Sequence, residues 1–189
     1  YLEGKDMLAA GKHEMLEIRQ KIQMVFQDPY SSLNPRKTIR NILEEPLKIH
    51  KKASGERLKS RVEELAEMAG LEEYVLNKYP HELDGGKRQM VEIARALALD
   101  PKFIVCDEPV SSLDVSVQAT IINLLMDLQK QMGLTYMFIS HDLSVVRHIS
   151  NRVAVMYLGQ IVELAPTDTI FAKTLHPYSI ALLSAGPKV

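Results

Sequence analysis

Several residues in this 189-residue chain have types and spacing suited to chemistry. Phe103-Ile104-Val105-Cys106 is an apolar run that delivers two acids in succession, Asp107 and Glu108. Ligand sites of open α/β sheets lie at the carboxyl ends of strands, and paired carboxylates there can divide labour between holding Mg²⁺ and activating a water. Alone, such a run reads equally well as a buried strand ending in a solvated turn, so its neighbours decide. Ser111-Ser112-Leu113-Asp114 follows directly, and Ile139-Ser140-His141-Asp142 closes the next apolar run. A histidine at the end of an adjacent parallel strand can approach the phosphate that Glu108 faces. Upstream, Leu83-Asp84-Gly85-Gly86-Lys87-Arg88-Gln89 opens a helix with two glycines. Bare backbone N–H groups and the positive helix end can meet an anion there. Taken singly, Asp84 and Asp114 read as helix N-caps and Gln27 as a polar loop residue. The order Gln27, Asp84-Gly85-Gly86-Lys87, Asp107-Glu108, Asp114, His141 is hard to obtain by accident.

The elements that must position these residues follow from periodicity. Ile22 to Phe26 is a short apolar run stopped by Gln27-Asp28-Pro29, a buried strand feeding a loop that continues through Pro35. Apolar residues recur at helical spacing over Thr38 to about His50 and over Ser54 to about Ala69. Pro46 is expected to break or kink the first helix; Ser54 is the candidate N-cap and Gly70 the candidate stop of the second. A third helix starts near Gly85 and carries Met90, Ile93, Ala94 and Leu97 inward. After Pro101, strands and helices alternate: Phe103 to Cys106, Val115 to Met132, Leu134 to Ile139, Asp142 to His148, Arg152 to Leu158. That order implies parallel strands with right-handed crossovers. Gly159-Gln160 has the spacing of a tight hairpin, giving an antiparallel addition at the edge through Ile161 to Leu164.

Composition sets outer bounds. The chain is 46% hydrophobic and 25% charged, an ordinary globular balance for about one domain. Net charge −1 and pI ≈ 6.7 supply no overall field for nucleic acid or anionic lipid, so polyanion binding needs a local site. Cys106 is the single cysteine and cannot form an internal disulfide, which points to a reducing compartment. No run approaches the ~20 apolar residues of a membrane-spanning helix. Thr174 to Pro187 comes nearest and is interrupted by His176, Pro177, Tyr178 and Ser179. Any membrane role is therefore borrowed from a partner.

In this arrangement the chain resembles the nucleotide-binding subunit of an ABC transporter, over essentially all of its length. The resemblance implies an α/β, P-loop NTPase-type (RecA-like) core with an inserted helical subdomain and an antiparallel edge hairpin. It divides the chain into a helical subdomain with the signature motif over 36–88, a catalytic α/β core over 89–165 and a C-terminal helical tail over 166–189. Gln27 matches the Q-loop glutamine, a Mg²⁺ sensor near the membrane partner. Leu83 to Lys87, with Asp84, Gly85, Gly86 and Lys87, matches the signature motif that acts on the ATP of a second subunit. Asp107 matches the Walker B aspartate that with Gln27 holds Mg²⁺, and Glu108 matches the general base. Asp114 matches the D-loop aspartate at the dimer interface, and His141 the switch histidine that contacts the γ-phosphate. The run from Val25 to Pro35, with His176-Pro177-Tyr178-Ser179 and Ala181-Leu182-Leu183, is similar to the ATPases of dipeptide and oligopeptide importers, a pattern that nickel importers share.

Two departures stand out. The P-loop pattern GxxxxGK(S/T) is absent. Gly4-Lys5 lies too near the start, and for Gly11-Lys12 and Gly86-Lys87 the required upstream glycine is Asp6 and His81. The expectation is an N-terminally incomplete chain that begins at Tyr1 and is inactive alone. Secondly, Leu83 to Lys87 reads LDGGK where the family has LSGGQ, so Asp84 puts a carboxylate in place of a γ-phosphate donor, with Lys87 as a compensating charge. The resemblance implies ATP and Mg²⁺ as ligands. It implies a second ABC ATPase subunit, transmembrane permease subunits and, indirectly, a substrate-binding protein as partners, at the cytoplasmic face of the membrane and without nucleic acid. The rival reading is a partner-binding module that hydrolyses nothing. A soluble ABC protein of repair or translation is disfavoured by the Gln27 to Pro35 loop and the His176 to Leu183 tail.

Overall fold

In the computed structural model, residues 1–185 are described, so the last four positions of the expected 166–189 tail lie outside the described residues. The chain divides into two compact units, Tyr1–Ile139 and a second that begins at Ser140.

In the first unit, α1 (Lys12–Lys21) leads into β1 (Ile22–Val25). A one-turn helix α2 (Pro29–Ser32) follows, then α3 (Ile39–Ile49), α4 (Gly55–Met68), α5 (Gly85–Leu97), β2 (Phe103–Asp107), α6 (Val115–Met132) and β3 (Thr135–Ile139). Short 3-10 turns occupy Met7–Ala9, Glu73–Asn77 and Pro80–Glu82. The strands form a parallel sheet of order β1-β2-β3, with Val25 opposite Cys106 and Asp107 opposite Ile139. Central β2 buries Ile104 and Cys106, as an apolar run enclosed in a sheet should.

Helices α3, α4 and α5 bury one another's apolar faces through Ile39, Leu43, Leu47, Leu65, Ile93 and Leu97. Pro46, expected to break or kink the first helix, does not break it: it lies inside α3, which runs on to Ile49 as the periodicity implied. The lost hydrogen bond and ring clash cost about 3 kcal/mol. Ile39, Ile42, Leu43 and Leu47 are buried on both sides of the proline, and that burial offsets the cost. Ser54 occupies the N-cap position of α4 without a side-chain cap, and Gly70 follows its end at φ 71°. The segment expected as loop after Gln27 contains α2, because Asp28 accepts from Tyr30 N–H at 2.9 Å and Pro29 is preset for a first helical turn.

The second unit comprises α7 (Leu143–Ile149), β4 (Arg152–Tyr157), β5 (Gln160–Pro166), α8 (Thr167–Lys173) and α9 (Pro177–Ala185). Asp142 caps α7, accepting from Ser144 N–H at 2.8 Å and Val145 N–H at 3.3 Å. The expected hairpin forms about Leu158-Gly159, both at positive φ as a two-residue primed turn requires. It is a two-stranded sheet of its own: among the described residues β4 pairs only with β5, and the parallel set ends at β3. Alternation of strands and helices fixes the direction of strands but not their neighbours, and the tight turn satisfies β4 locally. Glu163 of β5 fastens the segment before α9, accepting from Thr174 Oγ1 at 2.5 Å, Leu175 N–H at 2.8 Å and His176 N–H at 3.4 Å. The Tyr157 and Tyr178 rings lie 4.4 Å apart, tilted.

Candidate functional site

Parallel pairing of β1 and β2 in register makes the chain leave both strands at the same end of the sheet. Phe26-Gln27 emerges from one and Asp107-Glu108 closes the other. There, Gln27 Nε2 donates to Glu108 Oε2 at 2.8 Å, joining positions 81 residues apart. The donor fixes the amide so that Gln27 Oε1 is its remaining acceptor. Asp107 is half-buried at the last position of β2.

Glu108 has φ 45°, a left-handed conformation rare for a residue with a side chain. Its backbone is held on both sides. Its N–H donates to Ile139 O at 3.0 Å, and its carbonyl accepts from Ser111 N–H at 3.2 Å and Ser111 Oγ at 3.1 Å. These bonds oppose a local strain of order 1–3 kcal/mol and turn the chain sharply off the strand end. The loop that follows is pinned further by Gln118 of α6, whose Nε2 donates to Val110 O at 2.9 Å and Leu113 O at 3.0 Å.

The glycine turn lies against that same loop. Asp84 caps α5, its Oδ1 accepting from Lys87 N–H at 2.8 Å. A Cβ on Gly86 would stand 2.6 Å from Val117 Cγ1, and one on Gly85 would stand 3.1 Å from Leu113 Cδ2. Gly86 is therefore required by the close approach of α5 to the start of α6, while a side chain at Gly85 needs the Leu113 side chain to give by a few tenths of an ångström. The Lys87 ammonium, expected as compensation for Asp84, donates to Tyr74 Oη at 2.9 Å and lies 3.7 Å from Glu72. The bond to Tyr74 holds the Lys87 amine above its ordinary range. Asp114 precedes α6 but does not cap it; its Oδ2 instead accepts from Ser116 Oγ at 2.6 Å. His141 is exposed in the second unit, beside Ser140, whose Oγ accepts from Asp142 N–H at 3.0 Å.

The first unit thus brings Gln27 to Glu108, and Gly85-Gly86 to the loop before Asp114. Sequence reasoning missed three residues: Gln118, Glu92 and Arg95. Glu92 is 0% exposed, and its Oε1 accepts from Phe26 N–H at 3.0 Å and from Arg95 Nη2 at 3.3 Å. Arg95 Nη1 also donates to Ser32 O at 2.7 Å. Burial pushes the Glu92 carboxyl up, with the Phe26 N–H, the Arg95 guanidinium and the Ser32 hydroxyl pulling back. An acid among Val91, Ile93 and Ala94 on a buried helix face was the one available clue.

For Mg²⁺ the chain offers Asp107 and the Gln27 amide oxygen, and among the described residues no group of three or more His, Cys, Asp and Glu forms a metal cage. So sparse a set of hard oxygens suits an ion that keeps several waters and takes its other ligands from substrate phosphates. Among the described residues no helix is long and apolar enough to cross a membrane.

A family model described as ABC transporter matches residues 1–111. The chain is 56% identical over 178 residues to the oligopeptide transport ATP-binding protein OppF of Bacillus subtilis, covering 93% of this chain and 58% of that protein. It is 54% identical to OppF of Salmonella typhimurium, covering 97% and 55%. It is 51% identical to the dipeptide transport ATP-binding protein DppF of Haemophilus influenzae, covering 100% and 58%. The chain thus spans between half and two thirds of the length of these curated relatives. Among solved structures, the ATP-binding cassette MJ0796, in a dimeric post-hydrolysis state bound to ADP and Pi, superposes with TM-score 0.76 at 33% identity over 88% of this chain and 72% of that one. So does cbiO1 of Clostridium perfringens, part of the ABC transporter complex cbiONQ, with TM-score 0.76 at 27% identity over 86% and 64%. The parallel sheet with paired loops at its carboxyl end, the glycine turn packed against α6 and this sequence identity agree: the chain belongs to the ABC transporter family.

Proposed function

We propose that the chain is part of the ATP-hydrolysing subunit that powers an importer of dipeptides or oligopeptides, docked on permease subunits at the cytoplasmic face of the membrane. The observation that carries this reading is the Gln27 Nε2 to Glu108 Oε2 hydrogen bond, at 2.8 Å between the loops that leave two paired strands. Glu108 is the general base that orients water in line with the γ-phosphate, and Gln27 aims its carboxylate. His141 steadies charge on the transferring phosphoryl group. Asp107 and Gln27 Oε1 would hold Mg²⁺, which when bound neutralises phosphate charge. The turn Asp84-Gly85-Gly86-Lys87 faces the nucleotide of a second ATPase subunit, with Asp114 beside it at the interface. Boundaries at 36–88, 89–165 and 166–189 assign the helical subdomain, the catalytic core and the tail to one nucleotide-binding domain. A substrate-binding protein delivers cargo to the permeases and does not touch this subunit. No nucleic acid is involved.

Support for the peptide class comes from identity to OppF and DppF relatives. Uptake of a labelled dipeptide, a labelled oligopeptide and Ni²⁺ by cells with and without the intact gene tests it. Loss of peptide uptake alone is the expected result; loss of Ni²⁺ uptake alone overturns the substrate class. The rival reading is a docking module without hydrolysis. ATP-independent function of the full-length protein would establish that one instead.

A further inference from the structure

Glu92 and Arg95 sit one helical turn apart on α5, Glu92 buried and Arg95 half-buried, and each side chain reaches a backbone group outside the helix. Glu92 Oε1 takes the N–H of Phe26, the residue before Gln27, across 66 positions. Arg95 takes the carbonyl of Ser32, at the end of α2, across 63 positions, and also pairs with Glu92. Both ends of the Phe26 to Ser32 loop are thus clamped by adjacent turns of one rigid helix. That helix begins at Gly85, with Asp84 as its cap. A buried carboxylate is retained at a cost that only well-made partners offset, and the main partner here is the backbone that carries Gln27.

We propose that Glu92 is a positioning residue. Through the Phe26 N–H and Arg95 it fixes the loop that carries Gln27, and so sets the aim of Gln27 at Glu108. Helix α5 thereby links the glycine turn at its start to the general base by a continuous path: Gly85 turn, Glu92, Phe26, Gln27, Glu108. A displacement of the turn shifts the clamp, and the clamp shifts Gln27. This rests on the assignment of Gln27 and Glu108 above.

A double-mutant cycle on ATP hydrolysis by the full-length protein tests it, with Gln27→Ala, Glu92→Leu and their combination. Glu92→Leu is expected to lower kcat by about 10- to 10²-fold with KM for ATP little changed, since slight misplacement of a reacting group costs rates of that order. In the Gln27→Ala background, Glu92→Leu should lower kcat no further, because its effect travels through Gln27. Glu92→Gln, which keeps an acceptor for the Phe26 N–H, should restore activity. Glu92→Leu/Arg95→Leu removes both charges and guards against misfolding of the single variant. In ¹⁵N-glutamine-labelled protein the Gln27 side-chain amide signals should move in Glu92→Leu and stay in Glu92→Gln. Multiplying losses in the cycle, equal damage from Glu92→Gln, an unchanged kcat in Glu92→Leu or unmoved Gln27 signals each overturn the proposal. If Gln27→Ala itself hydrolyses ATP normally, the assignment of Gln27 falls first and the positioning role with it.

Discussion

At φ 45°, Glu108 holds a backbone conformation that its neighbours must enforce, and the Ile139 and Ser111 bonds do so. Its carboxylate is aimed by Gln27 rather than by chance of rotamer. On the proposed role of Glu108 as general base, Glu108→Gln keeps size and hydrogen bonding but removes that base, so ATP binding by the full-length protein should persist while turnover falls by about 10²–10⁴-fold in a steady-state phosphate assay. Asp84 is a second residue whose role the geometry narrows, because its Oδ1 is engaged with Lys87 N–H. Asp84→Ser retains a capping oxygen, so its denaturation midpoint should match the parent, whereas Asp84→Ala should cost about 1 kcal/mol. ATP-dependent dimerisation by sedimentation separates the second possibility. A rise in Asp84→Ser marks the carboxylate as facing phosphate across the dimer, and an unchanged dimer fraction leaves it as a cap.

Between elements, the contact that decides the site's shape is α5 against the start of α6. Val117 is β-branched and stiff, so a Cβ at 2.6 Å on Gly86 cannot be absorbed by rotation. Gly86→Ala should destabilise by about 1–3 kcal/mol on overpacking grounds, and Val117→Ala should relieve most of it in the double variant, both read by urea denaturation. In the second unit the corresponding fastening is Glu163. The Thr174 hydroxyl and the Leu175 N–H hold its carboxyl far below the ordinary range, at about 2. A depressed folded value means that the clip stabilises fully above the unfolded value near 4.5 and is lost as pH falls through about 2. The difference in melting temperature between the parent and Glu163→Gln should therefore be constant above pH 5 and shrink as pH drops below about 4.5.

For the whole chain, the pattern to weigh is the P-loop, which these 189 residues do not contain. Backbone nests and a P-loop lysine supply most of the hold on a triphosphate in this family, and no GxxxxGK(S/T) lies within these 189 residues. Asp107 and Glu108 are acids that repel a triphosphate in the absence of compensating charge. The 189-residue chain by itself should give no saturable heat on titration with Mg-ATP at millimolar concentration and no phosphate release. A tight site would mean that the phosphate cradle is built from residues with no such pattern.

What the sequence determined by itself is local. Apolar runs with carboxylates at their ends, glycine pairs opening a helix and a hairpin signal at Gly159-Gln160 are set by neighbours within a few positions, and they placed β2, α5, α6 and the hairpin, its turn one residue later than the Leu158-Gly159 observed. Glu108 and the glycines at 85 and 86 stood out as candidates because each stands at the junction of a run and a turn, whereas Gln27 was singled out only through the family resemblance. Tertiary structure alone decided the rest. Pro46 stays within α3 because both flanking turns are buried. β4 pairs only with β5 among the described residues, since alternation does not dictate neighbours. Lys87 turns to Tyr74 rather than to Asp84 because a hydroxyl 13 positions away lies within its reach. Glu92 and Arg95 acquire a role only when a loop more than 60 residues distant in sequence presents an N–H and a carbonyl to one helix face. Long-range hydrogen bonds have no periodicity and leave no spacing to read; they exist only after burial has brought the donors and acceptors together.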